Sequence, residues 1–292
     1  MLNPGDYPAL SALAAVLRTG SFEAAAAALG VTPSAVSQRV KGLEDRLGTP
    51  LVLRASPCRP TETGLRLARH AEDVGLLEAQ LARDLGAPPA PAPLRLAVNA
   101  DSLATWFVAA MAGHEGPLYR LEIDDQDHSA DWLRRGEVVG AVSARETAVA
   151  GCDIYPLGAL RYLAVATPAF VARHFPDGLT AEAFARAPSL VYDEKDRLQD
   201  NWSRRIAGRS VPLPAHRIPS TQGFVDAARA GLGWGLNPAA LLADDLARGR
   251  LVALSPNPVD IPLYWHVSRL NRAVLAPLTT AVRVAAVAAL VQ

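Results

Sequence analysis

The sequence has little cysteine, no long apolar run and no excess charge of either sign. Only Cys58 and Cys152 occur among 292 residues, and they form no Cys-x-x-Cys pair. This argues against a disulfide framework and against a thiolate metal site. No apolar stretch approaches the ~18 residues that span a bilayer, and the first ten residues lack the features of a secretion signal. We therefore expect a cytoplasmic protein with no membrane contact.

The motifs of common enzymes are also missing. The sequence has no Gly-x-Ser-x-Gly, no His-Glu-x-x-His and no Walker phosphate loop. Its six histidines are scattered without the spacing of metal ligands. We therefore predict no catalytic residues, no metal site and no cofactor. An enzyme is the weakest alternative, and a solute-binding transport protein would explain only the second part of the chain.

The length and the pattern of the chain predict two or three domains. Lysine plus arginine and aspartate plus glutamate both total 29, so net charge identifies no polyanionic partner. A Pro/Ala-rich run over 86–93 marks a boundary, because such runs join neither a helix nor a central strand. The pattern before it is helical. After it, short strand-like runs alternate with helical segments, which predicts an α/β domain.

Three helical segments, over 7–18, 22–29 and 33–47, open the chain. Ser21 is placed to cap the second helix and Gly30 to end it, and Thr32 and Pro33 form the start of the third. Two helices joined by a short turn that contains glycine are typical of the helix-turn-helix. The third helix has an apolar stripe that would pack on the first two, formed by Val36, Val40, Leu43 and Leu47.

The opposite face of the third helix carries groups that can read double-stranded DNA. Hydroxyls, an amide and a cation recur there at helical spacing, which suits base edges and phosphates. The alternative is an ordinary solvated face. A predicted β wing over 51–64 favours DNA binding, because its arginines would reach phosphates. The predicted DNA-contacting residues are Thr32, Pro33, Ser34, Ser37, Gln38, Arg39, Lys41, Arg54 and Arg59.

A long helix is predicted over 62–85, and its apolar residues recur close to heptad spacing. They are Leu67, Ala71, Val74, Leu77 or Glu78, Leu81 and Leu85. The pattern favours pairing with a second copy of the chain, and packing within one chain is the alternative. A two-fold dimer places two recognition helices one DNA turn apart, so we expect an interrupted palindrome as operator.

Ligands of open α/β sheets bind beyond the carboxyl ends of strands, where helices begin. Asp101, Ser102 and Thr105 follow a predicted strand over 94–98 and open a helix. They can hold an α-carboxylate or an ammonium group, and simple helix capping is the alternative.

Three further segments at strand or helix ends complete the predicted ligand site. Asp124 and Gln126 belong to an acidic run after a strand over 118–123, where clustered carboxylates favour a guanidinium or ammonium ligand over a solvated loop. Ser143 ends the next strand. Thr221 and Gln222 precede a helix further along the chain. The predicted partner is therefore a small cationic effector.

The segment from Phe22 to Gly64 resembles the DNA-binding unit of the LysR-type transcriptional regulators. The residues that carry the resemblance include 35–40, 43–44, 47–48, Leu51, Arg54 and 61–62. Residues 99–106, 133–142 and 231–235 resemble the ArgP/LysG branch of that family. The resemblance implies an all-α winged helix-turn-helix domain with a long linker helix, followed by an α/β effector domain like a periplasmic binding protein, with two Rossmann-like subdomains. We place the DNA-binding domain at 1–61, the linker helix and hinge at 62–93 and the effector domain at 94–292.

The resemblance also implies how the chain acts. Subdomain I would cover about 94–166 and 267–292, and subdomain II about 167–266, with the effector in the cleft. The effector would be L-lysine or L-arginine, and the regulated gene would encode a basic amino-acid exporter. The assembly would be a dimer of dimers on DNA, with RNA polymerase as a further partner. A LysR-type regulator that responds to a different small metabolite is the alternative.

Overall fold

The structure is a computed structural model that describes residues 3–87, 93–114, 118–123 and 129–292. The chain divides into two compact units. The first is centred on the residues up to Leu94, with the short segments at Tyr119 and Arg135–Glu137 grouped with it, and the second comprises the other residues from Arg95 onward. Each unit is described by itself.

The first unit begins with three helices, as predicted: α1 (Tyr7–Thr19), α2 (Phe22–Leu29) and α3 (Pro33–Leu47). Local signals set their ends. The Ser21 hydroxyl accepts a hydrogen bond from the Ala24 amide, and the Thr32 hydroxyl accepts one from the Ala35 amide. Glycines in the left-handed conformation end all three helices, at Gly20, Gly30 and Gly48. The predicted helix-turn-helix is confirmed.

The three helices enclose an apolar core, and a small wing packs beside it. Val36, Val40 and Leu43 of α3 are fully buried in this core. Strand β1 (Val52–Leu53) pairs antiparallel with β2 (Arg59–Pro60), which confirms the predicted wing. The Glu44 carboxylate of α3 accepts hydrogen bonds from the Leu51 and Val52 amides at 2.7 and 3.2 Å. The wing is therefore tied to the helix beside it.

Helix α4 (Glu62–Asp84) follows the wing and starts at Thr61, whose hydroxyl accepts a hydrogen bond from the Gly64 amide. The heptad-spaced apolar residues predicted on this helix, from Leu67 to Leu85, form a seam that divides into two parts. Leu67 and Ala71 pack against the core of the three-helix domain, so the first part is used within the chain. Leu77, Leu81 and Leu85 are exposed, the last to 75%. Pairing of two copies through this second part stays a prediction.

The second unit is built on a seven-stranded sheet in the order β10-β6-β11-β5-β3-β4, with β9 also paired to β6. Strand β3 runs parallel to β5, whereas β11 runs antiparallel to both β5 and β6. A separate parallel pair joins β7 and β8. The strands are β3 (Leu94–Val98), β4 (Tyr119–Ile123), β5 (Gly140–Ser143), β6 (Cys152–Ala166), β7 (Ser189–Val191), β8 (Ala215–Arg217), β9 (Gly235–Pro238), β10 (Val252–Ala253) and β11 (Val259–Ser268).

Strand β6 is twice as long as the predicted strand over 160–166. Pro156 and Gly158 lie inside it and read as strand breakers in the sequence. They are accommodated at an irregularity, because the register against β11 shifts between Leu263 and Tyr264. The last residues of β6 pair with β9 and β10. The two long strands β6 and β11 thus connect the two ends of the domain.

Helices flank this sheet on the chain segments between strands. The first opens as α5 (Ala100–Ser102), continues as a π-helical segment over Leu103–Phe107 and ends as α6 (Val108–Ala112). The others are α7 (Ser129–Arg134), α8 (Pro168–His174), α9 (Ala181–Phe184), α10 (Leu198–Ala207), α11 (Thr221–Arg229), α12 (Ala243–Ala247) and α13 (Arg272–Ala289).

Helix α13 is, among the described residues, the one helix long and apolar enough to cross a membrane by length and composition. Those criteria carry little weight, since core helices of folded domains also meet them. Leu275, Leu278 and Val282 are fully buried on one side of the helix. The Trp265 indole of β11 donates a hydrogen bond to the Thr279 hydroxyl at 3.1 Å. These contacts describe a helix packed on its own domain.

Candidate functional site

The first candidate surface lies on α3 and the wing. Ser34, Gln38, Arg39 and Lys41 are exposed on the face of α3 opposite its buried stripe, and Ser37 is half-buried. Thr32 and Pro33 are exposed at the start of the same helix. The surface therefore presents hydroxyls, an amide and cations on one helix, which is the set that base edges and phosphates need.

The wing adds two exposed arginines to this surface. The Arg54 guanidinium lies 5.0 Å from the centre of the Phe22 ring, a cation–π distance that holds it beside α2. Arg59 is exposed on β2. Within the described part of the chain, no carboxylate lies within ion-pair distance of Arg39, Lys41 or Arg59. Their charge is available to phosphates, although contact with DNA stays a prediction for all nine residues.

The second candidate site is a cavity of about 100 Å³ in the second unit. Four segments supply its walls: the end of β3 with the start of α5, the loop from β7 into α10, the start of α11, and β9. The lining residues are Asn99, Ala100, Asp101, Tyr192, Asp196, Arg197, Leu198, Asn201, Thr221, Phe224, Leu236, Asn237 and Pro238.

Asp101 joins two of these walls. Its carboxylate accepts a hydrogen bond from the Tyr162 hydroxyl at 2.7 Å and another from the Thr221 hydroxyl at 2.8 Å. Burial raises the pKa of the Asp101 carboxyl above its ordinary value. The two hydrogen bonds oppose this change, and the nearby charge of Asp196 adds to it. The environment thus disfavours the charged form of this carboxyl.

A second carboxylate is held in the loop before α10. Asp196 accepts hydrogen bonds from the backbone amides of Tyr192 and Leu198, at 2.9 and 3.0 Å, and from the Gln199 side chain at 2.7 Å. These donors fix its position on the cavity wall. Burial is also the main cause that raises the pKa of the Tyr192 hydroxyl, and the charge of Asp101 adds to it. The cavity therefore contains two carboxylates of separate origin in the chain.

Two asparagines add uncharged acceptors to the cavity. The side-chain oxygens of Asn99 and Asn237 are buried and have no hydrogen-bond partner within the described residues. Asn99 precedes α5 as its N-cap residue, yet its side chain makes no capping hydrogen bond. Among the described residues that line the cavity, the one cation is Arg197, which is exposed and donates to Asp200 at 3.2 Å. The buried polar groups that face this cavity are thus mainly hydrogen-bond acceptors.

Two of the eight predicted effector residues, Asp101 and Thr221, line the cavity. The other described ones are not among its lining residues. Ser102 is fully buried, and the Thr105 hydroxyl donates to the Asp101 backbone oxygen at 2.6 Å. The Ser143 hydroxyl accepts from the Arg145 amide at 3.0 Å, and exposed Gln222 donates to Asp226 at 3.1 Å. Asp124 and Gln126 lie outside the described residues.

The prediction from sequence did not include Tyr192, Asp196, Asn237 or Asn99. The loop around Asp196 alternates acidic and basic residues, which reads as an ordinary solvated segment. Asn237 is followed by proline, a pair that reads as a turn. A usable signal did exist for Asn237 and Asn99, because both lie at the carboxyl ends of strands, where ligands of α/β domains bind.

An exposed helix-turn-helix with a wing and a cavity with buried acceptors define the class of the chain: a DNA-binding protein with a ligand-binding domain. The chain belongs to the LysR family of bacterial regulators. Residues 8–65 match the family of bacterial regulatory helix-turn-helix proteins, lysR family, and residues 92–290 match the LysR substrate binding domain. The chain therefore has the LysR-type fold, with a helical N-terminal domain and a C-terminal substrate-binding domain.

Relatives cover nearly the whole chain. The HTH-type transcriptional regulator LysG of Mycobacterium tuberculosis is 48% identical over 283 residues, 96% of this chain and 93% of the relative. The crystal structure of ArgP from M. tuberculosis has 46% identity and a TM-score of 0.84, and the match covers 100% of this chain and 99% of that one. LysG from Corynebacterium glutamicum with bound effector Arg has 39% identity and a TM-score of 0.71, with both chains covered to 100%.

These matches confirm the resemblance to the ArgP/LysG branch. Because the relatives are transcriptional regulators, the chain is a DNA-binding transcriptional regulator rather than an enzyme, as the sequence predicted.

Proposed function

We propose that this regulator binds a basic amino acid, L-arginine or L-lysine, in the cavity beside Asp101, and that this ligand controls transcription of a gene for a basic amino-acid exporter. The observation that carries the proposal is the set of groups on the cavity wall: two carboxylates and two buried amide oxygens without a partner within the described segments. A ligand rich in N–H groups complements such a wall. The effector Arg bound to the C. glutamicum relative supports the same ligand class.

The electrostatics of Asp101 give a physical reason for a cationic ligand. Burial makes its charged form unfavourable, as the raised pKa indicates. A guanidinium or ammonium group would replace the lost hydration with a charge-assisted hydrogen bond, which favours ionisation of the carboxyl. Asp196 lies near enough to raise the pKa of Asp101. One cation between them would therefore relieve the repulsion of both.

The backbone at the start of α5 would hold the other end of an amino acid. Asn99 makes no side-chain cap there, which leaves the first amides of the continuous helical segment Ala100–Ala112 without a side-chain acceptor. Backbone N–H groups at such a position bind carboxylates. Ser102 and Thr105 follow on the same segment, as in the sequence-based prediction.

Control of DNA would follow from a change in the arrangement of the second unit. We propose two Rossmann-like subdomains that resemble a periplasmic binding protein, connected by β6 and β11. The Asp101–Thr221 hydrogen bond joins α5 to α11, so it would link one subdomain to the other across the ligand cleft. The ligand shifts this equilibrium only as far as it binds one arrangement better than the other.

The assembly proposed on DNA is a cytoplasmic dimer of dimers that recognises an interrupted palindrome and contacts RNA polymerase. Its support is the exposed second part of the α4 seam, Leu77, Leu81 and Leu85. Such a seam would pair two copies and fix the spacing of their recognition helices.

The test is calorimetric titration of the full chain with L-arginine, L-lysine, L-histidine and L-leucine. We expect saturable binding of a basic amino acid and none of leucine. Asp101→Asn and Asp196→Asn each remove a charged acceptor, and each should weaken binding by about 10- to 100-fold. Glu194→Gln is the matched control, because Glu194 is exposed in the same loop and pairs with Arg217; it should leave affinity unchanged.

Two results would contradict the proposal. Binding of none of the basic amino acids would point to the alternative, a LysR-type regulator of a different metabolite. Wild-type affinity in both aspartate variants would show that the ligand does not bind in this cavity. The regulatory step is tested separately. Fluorescence anisotropy would measure operator affinity and gel mobility would measure DNA bending, each with and without the amino acid that the protein binds.

A further inference from the structure

We infer that Asn237 selects the effector, with its side-chain oxygen accepting a hydrogen bond from an N–H of the ligand's cationic group. This inference rests on the proposed function. It assigns a specificity-determining role to a residue of β9 that the sequence-based prediction of the site did not include.

The orientation of the Asn237 amide is set by the protein itself. Its Nδ2 donates to the backbone oxygen of Gly235 at 3.2 Å. Turning the amide over would place its oxygen against that carbonyl oxygen. This contact therefore fixes which side-chain atom of Asn237 is Nδ2 and which is Oδ1. The other end, Oδ1, belongs to a fully buried side chain on the cavity wall and has no partner within the described residues.

A buried oxygen without a partner is costly, and it is paired in nearly all folded proteins. A ligand in the cavity can supply the missing donor, because Asn237 is fully buried and is one of the residues that line it. Asn99, which also lines the cavity, carries a second buried side-chain oxygen that has no partner in the described part of the chain. Two such acceptors from β9 and from the end of β3 therefore indicate a ligand that brings several N–H groups.

Uncharged acceptors suit this position better than a third carboxylate. Asp101 and Asp196 already offer two carboxyl groups to a ligand with a single net positive charge, so a third negative charge would add repulsion in the cavity. A guanidinium carries five N–H donors in a fixed plane, whereas an ammonium carries three. Additional neutral acceptors therefore favour arginine over lysine.

The chain offers a matched control in Asn201. It is also an asparagine that lines the cavity, but it is exposed and its oxygen already accepts a hydrogen bond from Arg204 at 2.8 Å. The same substitution at both positions removes an amide of the same size. Only at position 237 does it remove a free buried acceptor.

The experiment is calorimetric titration of wild type, Asn237→Leu and Asn201→Leu with L-arginine, L-lysine and L-citrulline, in which a neutral urea replaces the guanidinium. We expect Asn237→Leu to weaken arginine binding by about 10- to 100-fold and to narrow the preference for arginine over lysine. Asn201→Leu should change either affinity less than about threefold.

Asn237→Ala removes the same acceptor with a smaller side chain and provides a second variant should leucine disturb folding, which thermal unfolding of each variant would reveal. We expect this variant to weaken arginine binding as Asn237→Leu does. Wild type should bind citrulline less tightly than arginine, because citrulline lacks the positive charge that faces Asp101 and Asp196. Equal arginine affinity in wild type and a folded Asn237→Leu would overturn the inference while leaving the proposed function intact. Absence of basic amino-acid binding in wild type would overturn both.

Discussion

The contact between Gly64 and the wing makes one sharp prediction about stability. Gly64 lies in the first turn of α4, and a Cβ atom there would be 2.8 Å from the Leu51 carbonyl carbon and closer still to its oxygen. Ordinary contacts of a Cβ begin at 3.4 Å, and the Leu51 oxygen is the nearest obstacle, so Gly64→Ala must separate two backbone segments by more than an ångström. Neither segment can turn aside as a flexible side chain would.

The magnitude follows from two opposing effects. Overpacking of this kind costs ~1–3 kcal/mol, and the upper end applies because the obstacle is backbone. Alanine in place of glycine inside a helix recovers about 1 kcal/mol. We therefore expect Gly64→Ala to lower the free energy of unfolding of the first unit by about 2 kcal/mol. For a domain of this size that corresponds to a fall of roughly 8–16 °C in Tm.

Gly75→Ala is the matched control in the same helix. A Cβ at Gly75 meets no atom within 4 Å, so the gain in helix propensity is not offset, and we expect a rise of about 0.5–1 kcal/mol. All five tryptophans, Trp106, Trp132, Trp202, Trp234 and Trp265, lie in the second unit. Circular dichroism at 222 nm then reports both units, whereas tryptophan fluorescence reports the second.

The expected result is a lower CD transition for Gly64→Ala with an unchanged fluorescence transition, and a higher CD transition for Gly75→Ala. Similar shifts of the same sign in both variants would refute the argument from backbone contact. A loss confined to the fluorescence transition would also refute it, because it would place the damage in the wrong unit.

Three further predictions follow from other sites. Gly158→Ala should destabilise the second unit by about 1–3 kcal/mol in urea unfolding, because φ is +105° and a Cβ would lie 2.5 Å from the Val291 oxygen; an unchanged midpoint would contradict this. Since the pKa of Asp101 is raised above 3.8, the folded protein retains that proton longer than the unfolded chain. Wild type should therefore lose stability relative to Asp101→Asn as the pH rises above 3.8 and the buried carboxyl gives up its proton, and parallel Tm–pH curves for the two proteins would count against this. Gln38→Ala should relax preference at one base pair by ~1–3 kcal/mol, whereas Lys41→Ala should weaken specific and random DNA alike in anisotropy titrations; equal losses for Gln38→Ala on both DNAs would reject its role.

Features set by neighbours in sequence could be predicted from the sequence. The helix-turn-helix follows from caps and glycines within a few residues of each other, and the wing from a short local pattern. Strand β6 could not be predicted in full, because Pro156 and Gly158 are tolerated only where β11 pairs along its length. The linker seam was ambiguous for a similar reason: Leu67 and Ala71 pack on the three-helix core, and no local pattern distinguishes that partner from a second copy.

The cavity residues also divide into those that neighbouring residues in the sequence reveal and those that only the fold brings together. Asp101 was found because a residue at a strand end that opens a helix has a recognisable local context. Asp196 and Asn237 come from segments about a hundred residues or more away along the chain, and only the fold brings them to the same wall as Asp101. Their significance depends on burial and on pairing: Asp196 is held by three donors, whereas the Asn237 side-chain oxygen has no donor among the residues that the structure describes. Neither property can be read from residue type.

For the proposed regulator, this distribution of ligand groups also gives a reason for switching. Asn99 and Asp101 lie at one end of the shared sheet, whereas Asp196, Thr221 and Asn237 lie on segments between β6 and β11. A ligand that contacts both sets is bound more tightly when they approach each other, and this difference in affinity is what shifts a conformational equilibrium. The Asp101–Thr221 hydrogen bond already joins the two sets. A ligand that donates to the buried oxygens of Asn99 and Asn237, for which the described residues supply no donor, would add further links between them.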